Sequence, residues 1–231
     1  PLFGLDRLEM KTVAGLSMVQ VLASAVSGII IHKKNNFVHT GILVRIGVAM
    51  GICSLIGSYA SKYMNNQLVT IIFGVLVVVA FLLLLFHRGQ QQEEAPSTAD
   101  LQPNMFGCIA AGAGVGLLAG IVGAGGGFIL LPIMIVLLRI PVKVSVGTSI
   151  GIVFIGALLG AVGKIASGQV DFILIWPVIC GSLIAAQLGA RVSRRAPSRA
   201  IKYALLLVII ISGVQVWTKI ISSFTTTPPT P

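Results

Sequence analysis

Between Gly120 and Pro132 the chain reads Gly-Ile-Val-Gly-Ala-Gly-Gly-Gly-Phe-Ile-Leu-Leu-Pro, with four glycines in the five positions 123–127. Consecutive glycines let backbone N–H groups converge on an anion, and the positive end of a following helix strengthens the attraction. Glycine also serves close helix packing, and Gly116/Gly120 and Gly123/Gly127 both have that small-xxx-small spacing. Packing is the reading for Gly112, Gly116 and Gly120. At Gly123, Gly125, Gly126 and Gly127 the density exceeds what packing needs, and the reading is a chain break whose N–H groups, through Phe128, line a site.

A second constellation is Gly147-Thr148-Ser149, mirrored by Gly15-Leu16-Ser17. Hydroxyls near a helix start either donate to an anion or cap the helix. In the first copy Ser17, Gln20, Ser24 and Ser27 follow at three- and four-residue spacing and so share one helix face. In the second copy that face carries Ser149, Ile152, Gly156 and Gly160, which is small but less polar. Such a stripe lines a pathway or holds helices together, and spacing does not decide between the two. Gln20 is the sharpest single candidate, since an amide in hydrocarbon needs partners.

Buried carboxylates, the usual mark of a proton relay or cation site, are not expected, because Asp, Glu, Lys and Arg fall at the edges of the apolar runs. Lys164 and Asp171 flank an exit loop and read as solvated charges, with a place on an access path as the alternative. The available polar groups are backbone N–H, hydroxyls and one or two amides, a set that suits an anion held by dipoles. Cys53, Cys108 and Cys180 lie far apart in apolar stretches and read as small hydrophobes. Gly114-Val-Gly116-Leu-Leu-Ala119 imitates a dinucleotide fingerprint but lacks the strand and the acidic residue that would support it. No catalytic triad, phosphate-binding loop, metal cluster or cofactor motif is legible, so neither an enzyme nor a cofactor is expected.

The elements that must position these residues are membrane helices. The chain is 56% hydrophobic and 10% charged, with mean hydropathy +1.01. Soluble proteins average about 25% charged residues, and the charge here cannot supply a polar shell. The net charge of +10 does not indicate nucleic acid, because the basic residues sit at the ends of apolar runs, as in cytoplasmic loops. Uncharged stretches occupy 12–31, 46–61, 63–86, 101–138, 144–163, 172–190 and 203–218. The second begins earlier, near Thr40, with Arg45 snorkelling from its first turns. Read as one straight helix, 105–138 would reach roughly 51 Å against a hydrocarbon core of about 30 Å. It must therefore break, and the glycines are where.

The two halves read as copies. A 132-residue offset superposes Gly15/Gly147, Ser17/Ser149, Val21/Val153, Ala25/Ala157, Gly28/Gly160, Val38/Val170, Gly57/Gly189 and Ser61/Ser193 without a gap. The expected organisation is a first repeat at 1–87, a hydrophilic linker at 88–104, a second repeat at 105–221 and a disordered tail at 222–231. The partner of 112–131 would fall before Pro1, so seven segments of a probable eight are expected here, with one glycine-rich segment upstream. The fold class is an all-α polytopic membrane protein of two helical repeats. Basic residues around 191–202 place that turn in the cytoplasm. A single broken crossing at 105–138 and a re-entrant hairpin both put ten of the sixteen Lys and Arg inside, so charge does not choose. One broken crossing is adopted.

The run Gly-Ala-Gly-Gly-Gly-Phe-Ile-Leu-Leu-Pro, followed by Val-Gly-Thr-Ser and set within duplicated halves, resembles the sulfite exporter TauE/SafE family of membrane permeases. The likeness is clearest from Gly116 to Ile220. It implies transport of small sulfur-containing anions, such as sulfite or organosulfonates, across the cytoplasmic membrane. By this likeness Gly123 to Gly127, Pro132 and Gly147 to Ser149 fall on the family's motif positions. Gly15-Leu16-Ser17 departs from Gly-Thr-Ser at its middle residue. The expectation is a secondary transporter whose partners are a small anion and the lipid bilayer, with a homo-oligomer left open. A passive anion channel and a non-transporting membrane scaffold are the rival readings.

Overall fold

The computed structural model describes residues 10–32, 39–86, 104–195 and 198–225, and all its regular structure there is helical. The elements are α1 (Met10–His32), α2 (Thr40–Ala60), α3 (Asn66–Phe86), α4 (Met105–Val122), α5 (Gly127–Pro132), α6 (Val142–Ala166), α7 (Phe172–Arg195) and α8 (Ser198–Thr225). Five stretches are long and apolar enough to cross a bilayer: Lys11–Ile29, Thr40–Tyr63, Asn66–Leu83, Met105–Val122 and Val144–Ala166. Shorter apolar stretches occupy Gly127–Leu137, Leu174–Gly189 and Leu206–Thr218. The protein is an all-α polytopic membrane protein. The expected linker lies outside the described residues except at Asn104, which caps α4 by accepting from Phe106 N–H at 3.1 Å. Helix α8 continues to Thr225, past the expected start of the tail at 222.

Backbone proximity fixes the directions of the helices. Along α2 and α4, the pairs Ile46/Gly112, Met50/Gly116 and Ser54/Gly120 advance together, so the two helices run parallel. A Cβ added to Gly112 would stand 2.6 Å from Ile46 O, and one on Gly116 2.7 Å from Met50 Cα. Only glycine lets the backbones meet this closely. Between α2 and α6, the pairs Gly47/Ile155, Gly51/Leu159 and Ser58/Gly163 are also parallel. Helix α1 opposes α6, with Gly28 against Ile150 and Met18 against Gly160.

Helices α2, α4 and α6 therefore all start at one end of the bundle, the near end, and finish at the far end. Since α4 and α6 point the same way, the segment between them must return. It does so through α5 and a π-helical stretch, Ile133–Leu137, until Leu138 reaches within 3.5 Å of where a Cβ on Gly107 would lie, in the first turn of α4. Residues 105–138 thus form a hairpin with one full arm and one shorter returning arm. This replaces the single broken crossing adopted from the sequence. The physical reason is the glycine stripe on α4, which locks it parallel to α2 while α6 takes a third parallel place.

The returning arm is the centre of the core. Ile129, Leu130 and Met134 pack among Ile46 and Met50 of α2, Leu76 and Val77 of α3, Cys108, Val115 and Ala119 of α4, and Ile152 of α6. Pro132 lies buried inside α5 and has no N–H to donate. The bonds after it lengthen to the π pattern, with Leu138 N–H donating to Ile133 O at 3.0 Å.

One buried hydroxyl, Ser54 Oγ between α2 and Gly160 of α6, has no hydrogen-bond partner among the described residues. Leaving a polar group buried and unpaired costs about 1–3 kcal/mol. Ser54→Ala is accordingly expected to leave the unfolding midpoint in detergent unchanged or to raise it. A clear drop would show that the hydroxyl is bonded after all.

Candidate functional site

Helix α4 ends with Gly123 in the left-handed region (φ 80°), its N–H donating to Ala119 O at 2.8 Å. Gly125 (φ 63°) and Gly126 (φ 72°) keep the chain in that region, and Gly126 O accepts from Leu130 N–H at 2.9 Å to start α5. Three left-handed residues in four turn the chain back on itself, which side chains would resist. They would also collide with neighbours. A Cβ on Gly123 would lie 2.6 Å from Ala14 Cα of α1, and one on Gly126 2.7 Å from Met50 Cε. Gly125 meets Val21 of α1 in the same way.

The turn leaves a run of donors. Among the described residues, the backbone N–H groups of 124–128 donate no hydrogen bond of good geometry. Their surroundings are apolar: Ala14 and Val21 of α1, Met50 of α2, Val153 of α6, and Phe73 of α3, whose ring meets that of Phe128 edge-on at 5.7 Å. Gly123, Gly125 and Gly126 are buried, whereas Ala124, Gly127 and Phe128 are half-buried, so the run opens on their side. Successive N–H groups without a well-formed bond, in a poorly solvated setting, suit a small anion. Gly126 stands beside Met50, the middle of α2, and so at mid-depth in the bundle.

The remaining expected residues divide. Ser149 is 4% exposed and precedes Val153 by one helical turn, and a Cβ on Gly127 would lie 3.4 Å from Val153 Cγ2. Ser149 therefore shares the face of α6 that reaches the break, and its Oγ donates back to Val146 O at 3.0 Å. Thr148, fully buried, turns instead to α2, where its Oγ1 accepts from His39 N–H at 3.1 Å. Gly147 is buried beside it. Pro132 lies more than a turn into α5, away from the donors. On α1, Val21 touches the break, Ser17 and Ser24 are half-buried, and Ser27 donates to Leu183 O of α7 at 3.4 Å. Gln20, expected to find partners inside the bundle, is exposed.

One charge departs from the sequence reading. Lys164, expected to be a solvated loop residue, is fully buried. Its Nζ donates to Ser61 Oγ at 2.7 Å, Gln169 Oε1 at 3.0 Å and Ile121 O at 3.2 Å. Gln169 is held by its own Nε2, which donates to Ser167 Oγ at 2.8 Å, and Ser61 Oγ donates to Ser58 O at 2.7 Å. The reason is shape. Gly15, Gly120 and Gly163 draw the helix ends and the turn after α6 so close together that the Lys164 stem is enclosed. The serines at 54, 58 and 61, spaced for one face of α2, were the legible signal.

Comparison with known proteins finds likeness to membrane transporters. The family model described as Sulfite exporter TauE/SafE matches residues 1–216. The chain is similar to the probable membrane transporter protein YunE of Bacillus subtilis, at 28% identity over 87% of this chain and 78% of the relative. It is also similar to the probable membrane transporter protein YdhB of the same organism, at 24% identity over 91% of this chain and 86% of that protein. A third relative, the probable membrane transporter protein MJ0441 of Methanocaldococcus jannaschii, is 19% identical over 89% of this chain and 78% of its own length. No solved structure matches.

Proposed function

Since the chain belongs to the sulfite exporter TauE/SafE family of membrane transporters, we propose that it is a secondary transporter of a small sulfur-containing anion such as sulfite or an organosulfonate. The observation that carries this reading is the run of N–H groups at 124–128 that make no well-formed bond, folded to mid-depth by three left-handed glycines. Such a donor set has no fixed charge, so an anion can both bind and leave. Ser149 beside the break and Ser17, one turn before Val21, add hydroxyls next to the donor set, and Thr148 and Pro132 hold the frame, while exposed Gln20 takes no part. No cofactor is required.

The transporter is proposed to consist of two repeats, 1–87 and 105–221, joined by the linker 88–104. In support, α6, α7 and α8 each start 132 residues after α1, α2 and α3. Because α6 opposes α1, the copies would be inverted, an arrangement that places a shared site between them. With the basic residues 191–202 in the cytoplasm, the near end faces the cytoplasm of the cell membrane, where Arg139 and Lys143 flank the start of α6.

The test is uptake of labelled sulfite by proteoliposomes, in competition with an alkylsulfonate, sulfate and a simple carboxylate. Saturable uptake blocked by a sulfur anion supports the reading; folded protein that moves none of them overturns it. Gly127→Ala sharpens the assignment, because Gly127 has an ordinary helical conformation and room for a methyl. It is expected to fold normally and to keep saturable uptake, with KM changed by less than about tenfold, since the backbone N–H remains.

A further inference from the structure

Lys164 lies in the last turn of α6, two residues from its end. A lysine so placed can ordinarily extend its stem into water. Here it turns inward and is fully buried. Giving up hydration at the boundary of a membrane is costly and marks a functional residue by default. Its partners define its state. Ile121 O and Gln169 Oε1 can only accept, and the proton of Ser61 Oγ is engaged by Ser58 O at 2.7 Å or Gln169 Oε1 at 3.2 Å. Three acceptors around one nitrogen use all three N–H bonds of an ammonium; a neutral amine would turn a lone pair on one of them. None of the three carries a charge, so these bonds hold the ammonium without supplying a counter-charge of their own.

Its partners also define what it holds. Ser61 follows α2, Ile121 is in the last turn of α4, and Gln169 lies in the turn after α6. Gln169 O in turn packs on Gly15 of α1, and Lys11 Nζ of α1 donates to Lys62 O at 2.8 Å. Four helices are thus drawn together at the far end by one ammonium and its immediate neighbours. Ile121 is two residues before Gly123, so this closure sits directly over the donor run.

We propose that Lys164 is the gate residue of the far end: its ammonium holds α2, α4 and α6 together, and the transported anion opens that end by taking the ammonium from Ile121 O and Ser61 Oγ. The exchange is favourable because an anion supplies the counter-charge that three neutral acceptors lack, turning ion–dipole bonds into an ion pair. It also selects for charge: a neutral solute has nothing to offer the ammonium and leaves the end shut. This inference rests on the transport reading above and gives that reading its specificity-determining residue.

The experiment uses whichever sulfur anion the wild-type protein carries in proteoliposomes. If the wild type carries none, the transport reading has failed, and this inference with it. Given wild-type uptake, KM and Vmax are measured for Lys164→Met and Ser61→Ala at matched amounts of monodisperse protein. Lys164→Met is expected to raise KM at least about tenfold, as loss of a charged partner does. Ser61→Ala keeps the ammonium but removes one competitor for it, so KM is expected to fall at least about threefold. A merely structural role would lower Vmax with the folded fraction and leave both KM values alone. Unchanged KM in a folded Lys164→Met protein overturns the proposal. Should that variant not fold, a Ser61→Ala protein with unchanged or raised KM overturns it alone.

Discussion

Gly126→Val reduces anion uptake to background while the protein still inserts into the membrane. Two costs act at once. Valine must adopt φ near 72°, a region that is a genuine outlier for a β-branched residue and costs on the order of 1–3 kcal/mol. Its Cβ would also stand 2.7 Å from Met50 Cε, 2.9 Å from Ala119 Cβ and 3.0 Å from Val115 Cγ1. Met50 is flexible, but Ala119 and Val115 are fixed on α4, so the turn must move away from them. Moving the turn rotates the N–H groups of 124–128, which act as a set only while they converge. The α2–α4 contact at Gly112, Gly116 and Gly120 lies below the turn and is untouched, so α4 keeps its place. Uptake by proteoliposomes, set against alkaline extraction and size-exclusion profiles of the same protein, separates the two effects. Wild-type uptake by this variant would remove the donor run from the mechanism.

What the sequence could and could not reveal follows from the range of the forces involved. Span lengths, the break at 123–127 and the packing role of Gly112, Gly116 and Gly120 depend on local composition and short spacing, and they are legible without a structure. The hairpin is not. It depends on whether α4 runs parallel or opposite to α6, which is decided by contacts between residues such as Met50 and Gly116 that lie far apart in the chain. Basic-residue counts could not substitute for those contacts, because both directions satisfied them equally. Lys164 shows the same limit in another form. Its position at a helix end is what the chain order reveals; its burial depends on Ser61 and Ile121 arriving from two other helices. The hydroxyls divide similarly, with Ser149 kept on the face toward the break and Thr148 drawn off by His39 N–H. Residue type named the donors, and only packing could say which way each one points.

Gly116→Leu, by contrast, is expected to remove the folded protein rather than its activity. A Cβ at 116 would lie 2.7 Å from Met50 Cα and 2.9 Å from Met50 C, backbone atoms that cannot swing aside. A leucine adds three further carbons to that clash and forces α2 and α4 apart along their length. Overpacking in a close-packed interior costs about 1–3 kcal/mol even where side chains can adjust, and more where the obstacle is backbone. Separation of α2 from α4 would also withdraw Ile121 O from Lys164 and Ala119 from the turn, so the break and the far-end closure fail with the interface. The measurement is the yield of monodisperse protein in detergent, expected to fall at least about tenfold against wild type. Read beside Gly126→Val, the result discriminates transporter from scaffold. If the glycines served packing alone, both variants would lose folded protein together. If the break is the transport site, Gly116→Leu loses the fold, while Gly126→Val keeps the fold and loses uptake.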